Sequence, residues 1–329
     1  MLKYTVKRLL YSVLILFFVM FIIYILMYNM PGGYIEQRAM ELATKPGSAR
    51  SYQDWLDFLN AQYGMDKGVV QGYFTWLKSA VLGQWGESWV HTIPVTEVFH
   101  TTIWYSFALG LISFIFEILI AVPLGIKAAK NQYGFSDYFA SVVSMVCISM
   151  PTFFLATLLK YVFAVKLRWF EISGMQGRNF HELSQFGQFL DVASHFVLPS
   201  ITLIIVSIGG LMRYTRTNML EVLNADYIRT ARAKGVPEKK VINYHAFRNT
   251  LIPLVTTLGG SLPGLFSGAL ITETLFALDG IGKASYASML AADIPFVMFY
   301  LSFLSVLTLL GNLISDLLYA VVDPRVRLS

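Results

Sequence analysis

Residues 212–253, MRYTRTNMLEVLNADYIRTARAKGVPEKKVINYHAFRNTLIP, form a polar island between two long apolar runs, and their reading decides the fold. The island carries eight basic residues (Arg213, Arg216, Arg229, Arg232, Lys234, Lys239, Lys240, Arg248) against three acidic ones (Glu221, Asp226, Glu238). Asp226 suits the N-cap of a helix, Arg232 and Lys234 suit its last turn, and Gly235 suits the left-handed position just beyond. Pro237 then fits the first turn of a second helix. A helix of about eight residues is marginal alone in water and needs a surface to hold it. A short basic helix between apolar spans is expected to be a docking surface on the cytoplasmic side of a membrane protein.

Working outward, 56% of the 329 residues are hydrophobic and the mean hydropathy is +0.58, more apolar surface than one soluble core of this length would bury. Six stretches approach or exceed the roughly 20 residues that cross a bilayer: 9–30, 103–126, 139–165, 195–212, 251–276 and 296–321. The fourth is the shortest. With the N-terminus inside, the inner segments hold fifteen basic residues and the outer ones nine in nearly twice the length. Because cytoplasmic loops retain Lys and Arg, both termini are expected in the cytoplasm. The net charge of +5 follows from this topology, and no nucleic-acid-binding signature accompanies it. The single Cys147 excludes an intrachain disulfide.

The opening stretch has the basic start and apolar run of a signal peptide. Its length, and the lack of a small-x-small site before Pro31, predict instead an uncleaved first span. Residues 31–99 make an outer segment too long for a simple connection. Within it Tyr52, Trp55, Leu56 and Leu59 recur at helical spacing after a Ser51 cap, and Val70, Phe74, Leu77 and Val81 recur before Gly83. Trp76, Trp85 and Trp89 suit a membrane interface. This segment is either a cap on the bundle or a docking element for an external partner.

Glu117 falls near the middle of the second span, where a charge is expensive, so it either lines a transport pathway or makes an interhelical hydrogen bond. Lys160 lies nearer the end of the third span and can snorkel in a structural role. In the fifth span Thr256, Gly260, Gly264, Gly268 and Thr272 place a small residue at every fourth position, a pattern that lets another helix approach. Pro253 and Pro263 interrupt its hydrogen bonding, and Glu273 stands at its outer end. Pro263, Gly264 and Glu273 join Glu117 as candidates for the pathway or its gate. Asp316 is expected to meet Arg325 or Arg327.

Catalytic patterns are absent. Gly282-Lys283 is followed by Ala284 and lacks the earlier glycine of a phosphate loop, His181-Glu182 has no second His at zinc-protease spacing, and no G-x-S-x-G elbow occurs. The five histidines are scattered.

Several separated motifs in order give the chain a resemblance to a known family. Pro31-Gly32-Gly33, Tyr63-Gly64-Met65-Asp66, Gly83-Gln84-Trp85-Gly86-Glu87-Ser88, Ile271-Thr272-Glu273-Thr274-Leu275-Phe276, Gly280-Ile281-Gly282, Asp316-Leu317-Leu318-Tyr319 and Asp323-Pro324-Arg325 are its landmarks. With Asp226-Tyr227-Ile228-Arg229-Thr230-Ala231-Arg232-Ala233-Lys234-Gly235, they resemble the integral-membrane permeases of ABC importers, in the oligopeptide, dipeptide and nickel branch. The general importer loop begins Glu-Ala-Ala; here Arg229 and Thr230 replace its first two positions, while Ala231 and Gly235 fit.

The resemblance implies an all-α polytopic membrane protein of the type I importer kind. It has six transmembrane helices: a first span in 1–30, the outer segment 31–99, a five-helix core in 100–322 that includes the coupling loop 213–250, and a cytoplasmic tail 323–329. It further implies a bacterial or archaeal inner membrane and a complex of this chain with a second homologous permease, two cytoplasmic ATPases that carry ATP and Mg, and an external solute-binding protein. This chain itself would bind no cofactor. Peptides are the expected substrate, with nickel or another small solute as the alternative. An ion-gradient-driven transporter or channel, with Glu117 and Asp316 as ion sites, is the reading from a different class.

Overall fold

The computed structural model describes residues 2–30 and 33–322. Among these the regular structure is helical, apart from an isolated antiparallel bridge between Glu87 and Pro94. The α-helices are α1 (Leu2–Tyr28), α2 (Tyr34–Thr44), α3 (Tyr52–Tyr63), α4 (Val69–Val81), α5 (Val95–Lys130), α6 (Phe135–Ser149), α7 (Thr152–Leu159), α8 (Gln185–Leu223), α9 (Asp226–Ala233), α10 (Glu238–Lys240), α11 (Phe247–Ser261), α12 (Leu270–Phe276), α13 (Ile281–Leu290) and α14 (Ile294–Val322). Two wide π-type turns, Lys160–Lys166 and Val241–Ala246, and a tight 3-10 turn, Leu262–Phe266, extend α7, precede α11 and follow it. The chain forms two compact units, one of Leu2–Thr101 with Ser285–Leu309 and one of Thr102–Ala284 with Leu310–Ser329.

In the first unit, tyrosines organise the core because each buries a ring and still offers its hydroxyl to a backbone carbonyl. Tyr24 and Tyr73 are fully buried. Tyr24 donates to the carbonyls of Tyr63 and Gly64 at the end of α3 (3.0 and 3.2 Å), and Tyr73 donates to Phe17 O on α1 (2.7 Å). Helix α3 starts where the Ser51 signal places it: Ser51 and Asp54 form a complete capping box. Helix α4 also forms as predicted, but its buried face is Gly72, Tyr73, Trp76 and Ala80. Val70, Phe74 and Val81, three of the residues that recur at helical spacing, are exposed. Tyr73 and Trp76 instead pack with Phe17, Phe21 and Tyr24 of α1.

In the second unit, α6 packs along α8, and the Asp137 carboxylate on α6 clasps the Arg216 guanidinium on α8 through both Nε and Nη2 (Nη2 to Oδ2, 2.8 Å). Lys160 takes the structural role expected of it, donating to Leu275 O and lying over the Phe276 ring. Two of the expected spans are broken. The third bends by 99° between α6 and α7 at Met150-Pro151, because proline disfavours a helical residue before it. The fifth bends by 44° between the turn after α11 and α12, where Gly268 has φ +79°. The fourth, shortest in apolar length, is part of the 39-residue α8, whose ends are polar enough to hide it from a hydropathy count. Among the described residues, four helices are thus long and apolar enough to cross a membrane, or up to six if each bent pair is one span. Along the small-residue stripe, a Cβ on Gly260 would meet Ser315 Oγ at 4.0 Å and one on Gly264 would meet nothing within 4 Å among the described residues, whereas Gly268 lies against the backbone of Gly282 and the adjacent Gly259 meets Leu318. Arg325 and Arg327, the expected partners of Asp316, lie outside the described residues, as do Pro31-Gly32 and Asp323-Pro324-Arg325.

Neighbouring glycines on α8 separate packing from propensity. A Cβ on Gly209 would sit 2.7 Å from Ser144 O and 3.0 Å from Cys147 Cβ on α6, while one on Gly210 would meet nothing within 4 Å. Gly209→Ala should therefore lower the thermal unfolding midpoint of the purified chain, by an overpacking cost of about 1–3 kcal/mol. Gly210→Ala should leave it unchanged or raise it, by up to about 1 kcal/mol of helix propensity. Equal midpoints for the two variants would refute the packing.

Candidate functional site

The polar island folds into α9 and the turn that follows. Asp226 is the first residue of α9 and Ala225 its N-cap, with no side-chain cap bond. Asp226 therefore does not cap the helix as expected, although its charge still lies at the positive end of the helix dipole. At the other end the expectation holds: Gly235 has φ +76°, its N–H reaches Arg232 O (2.9 Å) and the Val236 N–H reaches Ala231 O (3.2 Å). These two bonds make a Schellman motif, with Val236 and Ala231 half-buried beside one cluster. Arg232 then grips Glu238 with two bonds, Nε to Oε2 (3.1 Å) and Nη2 to Oε1 (2.8 Å), fixing the turn into α10. The hydrogen bond and charge of Arg232 hold the Glu238 carboxyl below its ordinary value. The pair is intact at neutral pH, and its contribution is lost only as pH falls through that lowered value.

One side chain anchors α9. Ile228 is fully buried among Met219, Val241, Ile242 and Ala246, while Tyr227, Arg229, Thr230, Arg232, Ala233 and Lys234 are exposed. The helix thus presents a basic outer face from a narrow attachment.

A second feature lies among α5, α8 and the α11–α12 break. A polar cavity of about 380 Å³ is lined by Ser106, Ser113, Glu117, Ser207, Ser261 and Gly264, among others. Glu117 is half-buried and has no hydrogen-bond or ion partner among the described residues, so the expected interhelical bond is not made within the chain. Gly264 opens onto this cavity; Pro263 instead turns its ring onto Gly311. Glu273 does not line it.

Glu273 is 1% exposed and fully engaged. Its Oε1 accepts from Ser106 Oγ (2.7 Å) and Ala269 N–H (2.8 Å), and its Oε2 accepts from Lys283 N–H (2.9 Å). Ser106 in turn accepts from Ile281 N–H (2.8 Å). Gly280 and Gly282 make room for this, since a Cβ on Gly280 would stand 2.5 Å from the Glu273 carboxylate. Sequence reasoning also passed over Asp137–Arg216 and the buried Asp293, which accepts from Ser88 Oγ, Val90 N–H (3.1 Å) and Phe296 N–H (3.3 Å). Asp293 could have been found: an Asp directly before Ile-Pro at the start of an apolar run is an N-cap signal. Ser88 and Val90 offer no such cue.

A helical chain with several apolar spans, a polar cavity among three of its helices and a short basic helix anchored on the end of one span defines an integral-membrane transport component. The family described as binding-protein-dependent transport system inner membrane component matches residues 121–328, and its N-terminal companion matches residues 1–96. The chain belongs to this family, the multi-pass inner-membrane permeases of ABC importers, which work in complexes with other subunits and are not themselves catalytic. It is similar to the oligopeptide transport system permease protein AppB of Bacillus subtilis, 35% identical over 99% of this chain and all of that protein. It is also similar to the dipeptide transport system permease protein DppB of Lactococcus lactis, 32% identical over the full length of both. The oligopeptide transport system permease protein OppB of Haemophilus influenzae is 31% identical over 99% of this chain and all of its own.

The Glu273 arrangement orders two substitutions. Glu273→Gln keeps one acceptor oxygen and should cost about 1–3 kcal/mol for the donor left unpaired. Glu273→Ala orphans three donors and should cost more, with loss of the folded, detergent-stable chain as the extreme. Thermal unfolding and size-exclusion profiles rank the two, and an Ala variant as stable as wild type would contradict the assignment.

Proposed function

We propose that this chain forms the membrane pathway of an ATP-driven importer for peptides. The observation that carries the substrate class is its end-to-end similarity to permeases named for oligopeptide and dipeptide transport. In this reading six spans cross the membrane, with each bent helix pair counted as one, and both termini lie in the cytoplasm. A second homologous permease completes the pathway, two ATPases binding ATP and Mg dock on the cytoplasmic side, and a solute-binding protein delivers peptide to the 33–99 segment.

Chemistry within the chain supports the roles. The unpaired Glu117 carboxylate, with serine hydroxyls around it, suits the ammonium end and amide groups of a peptide in transit. The exposed basic face of α9 suits an ATPase cleft, and its narrow anchor lets a moving partner reposition it. Energy then enters through contacts that differ between the two states of the machine, not through chemistry in this chain.

Reconstituted with its partners, the complex should take up labelled peptide only with ATP; uptake driven by an ion gradient alone would instead support a secondary transporter. In that assay Glu117→Leu should assemble normally and alter uptake, since it removes a lone charge without orphaning a partner. Wild-type uptake would remove Glu117 from the pathway.

In a Cys147→Ser background, Ala49→Cys should react with an impermeant thiol reagent in intact cells and Lys239→Cys should not. The reverse pattern would overturn the orientation. Gly235→Val puts a β-branched residue at φ +76°, a strain of about 1–2 kcal/mol or more, comparable with what holds a short helix in place. It should leave insertion and permease pairing intact while weakening ATPase retention and uncoupling hydrolysis from uptake. Unchanged retention and coupling would sink the hinge role.

A further inference from the structure

A second cavity, of about 620 Å³, lies wholly within the 33–99 segment, bounded by α2, α3 and the loop after α4. Its volume falls in the range of roughly 300–1,000 Å³ typical of small-ligand sites. Two of its walls are aromatic and held in place. Trp55 donates its indole N–H to Ser48 Oγ (3.1 Å) and meets Phe58 edge to face. Trp89 lies under the Arg38 guanidinium, 5.7 Å from the ring centre.

The charges are what distinguish this cavity. The Arg50 guanidinium rests on both Trp55 and Phe58, 4.9 and 4.8 Å from their ring centres, and has no hydrogen-bonded carboxylate among the described residues. The nearby Asp54 carboxylate is spent on Ser51. Arg38 is 7% exposed, and although one of its nitrogens pairs with Glu41 (2.6 Å), its buried Nε–H has no acceptor. The Arg38 guanidinium also lines the cavity, so its charge acts on an anion bound there. Glu87, exposed in the same cavity, has no ion or side-chain hydrogen-bond partner among the described residues. The lining thus offers a platform-mounted cation, a second guanidinium and an anion, with apolar rings around them.

We propose that this cavity binds a short peptide by its free ends, the C-terminal carboxylate on Arg50 and Arg38, the ammonium group on Glu87, and an apolar side chain against Trp55 and Phe58. The site is separate from the Glu117 cavity and rests on the reading of the chain as a peptide permease. It would hold substrate on the outward segment before passage, giving the permease its own preference for unblocked peptides.

The test uses the complex in lipid nanodiscs, without the solute-binding protein for peptide binding and with it for retention and uptake, and takes labelled Ala-Ala-Phe, its C-terminal amide and its N-acetyl form as probes. Arg50→Gln lies on the surface and should not disturb folding. It should weaken Ala-Ala-Phe binding by about tenfold or more, the loss expected for one charge-assisted contact. The amide should bind wild type as weakly as Ala-Ala-Phe binds the variant, and should lose little more on Arg50→Gln. Glu87→Gln should likewise discriminate only against the unblocked amine. Binding of Ala-Ala-Phe that is unaffected by Arg50→Gln and by amidation overturns the site. Unchanged peptide binding with weaker retention of the solute-binding protein also overturns it, giving the cation to an acidic residue of that protein. Uptake into proteoliposomes separates the two levels: uptake with Arg50-independent binding sinks the site alone, and absence of peptide uptake by the wild-type complex sinks the peptide reading as well.

Discussion

A buried carboxylate gathers the backbone at the break in the fifth expected span. Where a helix stops inside an apolar layer its terminal N–H groups lose their partners, and water is not there to replace them. Glu273 solves this for two helices at once. It takes the Ala269 N–H ahead of α12 and the Lys283 N–H in the first turn of α13, and through Ser106 it is linked to the Ile281 N–H as well. Gly280-Ile281-Gly282 thereby acquires a physical reason, because a side chain at Gly280 would occupy the space of the carboxylate. Asp293 does the same in the other unit, capping α14 while holding the Ser88 hydroxyl and the Val90 N–H.

Much of the membrane architecture was legible in the sequence because length and apolarity alone report it. The positions and angles of the breaks were not. Residues 139–165 and 251–276 read as continuous apolar runs, and hydropathy does not register that Met150-Pro151 turns the chain by 99° or that Gly268 adopts a left-handed backbone. Hydropathy does not single out the buried face of α4 either, since Val70 and Phe74 are as apolar as Tyr73 and Trp76. The aromatic rings of α1 and the Phe17 carbonyl, 56 residues away in the chain, lie on one of the two faces.

The functional stretches divide similarly. Gly235 was readable because a glycine followed by Val-Pro after a basic helical turn leaves few backbone choices, and the Schellman bonds follow from that geometry. Asp226 was misplaced by one position because an acidic residue is favoured both at the N-cap and in the first turn. Glu117 stood out by its charge. Its surroundings did not, because Ser113, Ser207 and Ser261 come from three helices and only the packing brings them to one cavity.

Helix α8 connects these two regions physically. Ser207 lines the cavity and Leu223 ends the helix two residues before α9, so about 24 Å of one helix joins the Glu117 region to the proposed docking element. The Gly209-Gly210 pair is the soft point along that length, yet Gly209 is wedged on the Ser144 carbonyl and Arg216 is clasped by Asp137. A bend there would have to break both contacts, so a push at α9 is carried as movement of the α6–α8 pair instead of being absorbed in the glycines. The weak points lie at the far end: a single buried Ile228 and the exposed Arg232–Glu238 pair, worth about 1 kcal/mol or less. In the proposed cycle that contrast is what makes α9 responsive to a partner and α8 the stiff element that conveys the response to the cavity wall.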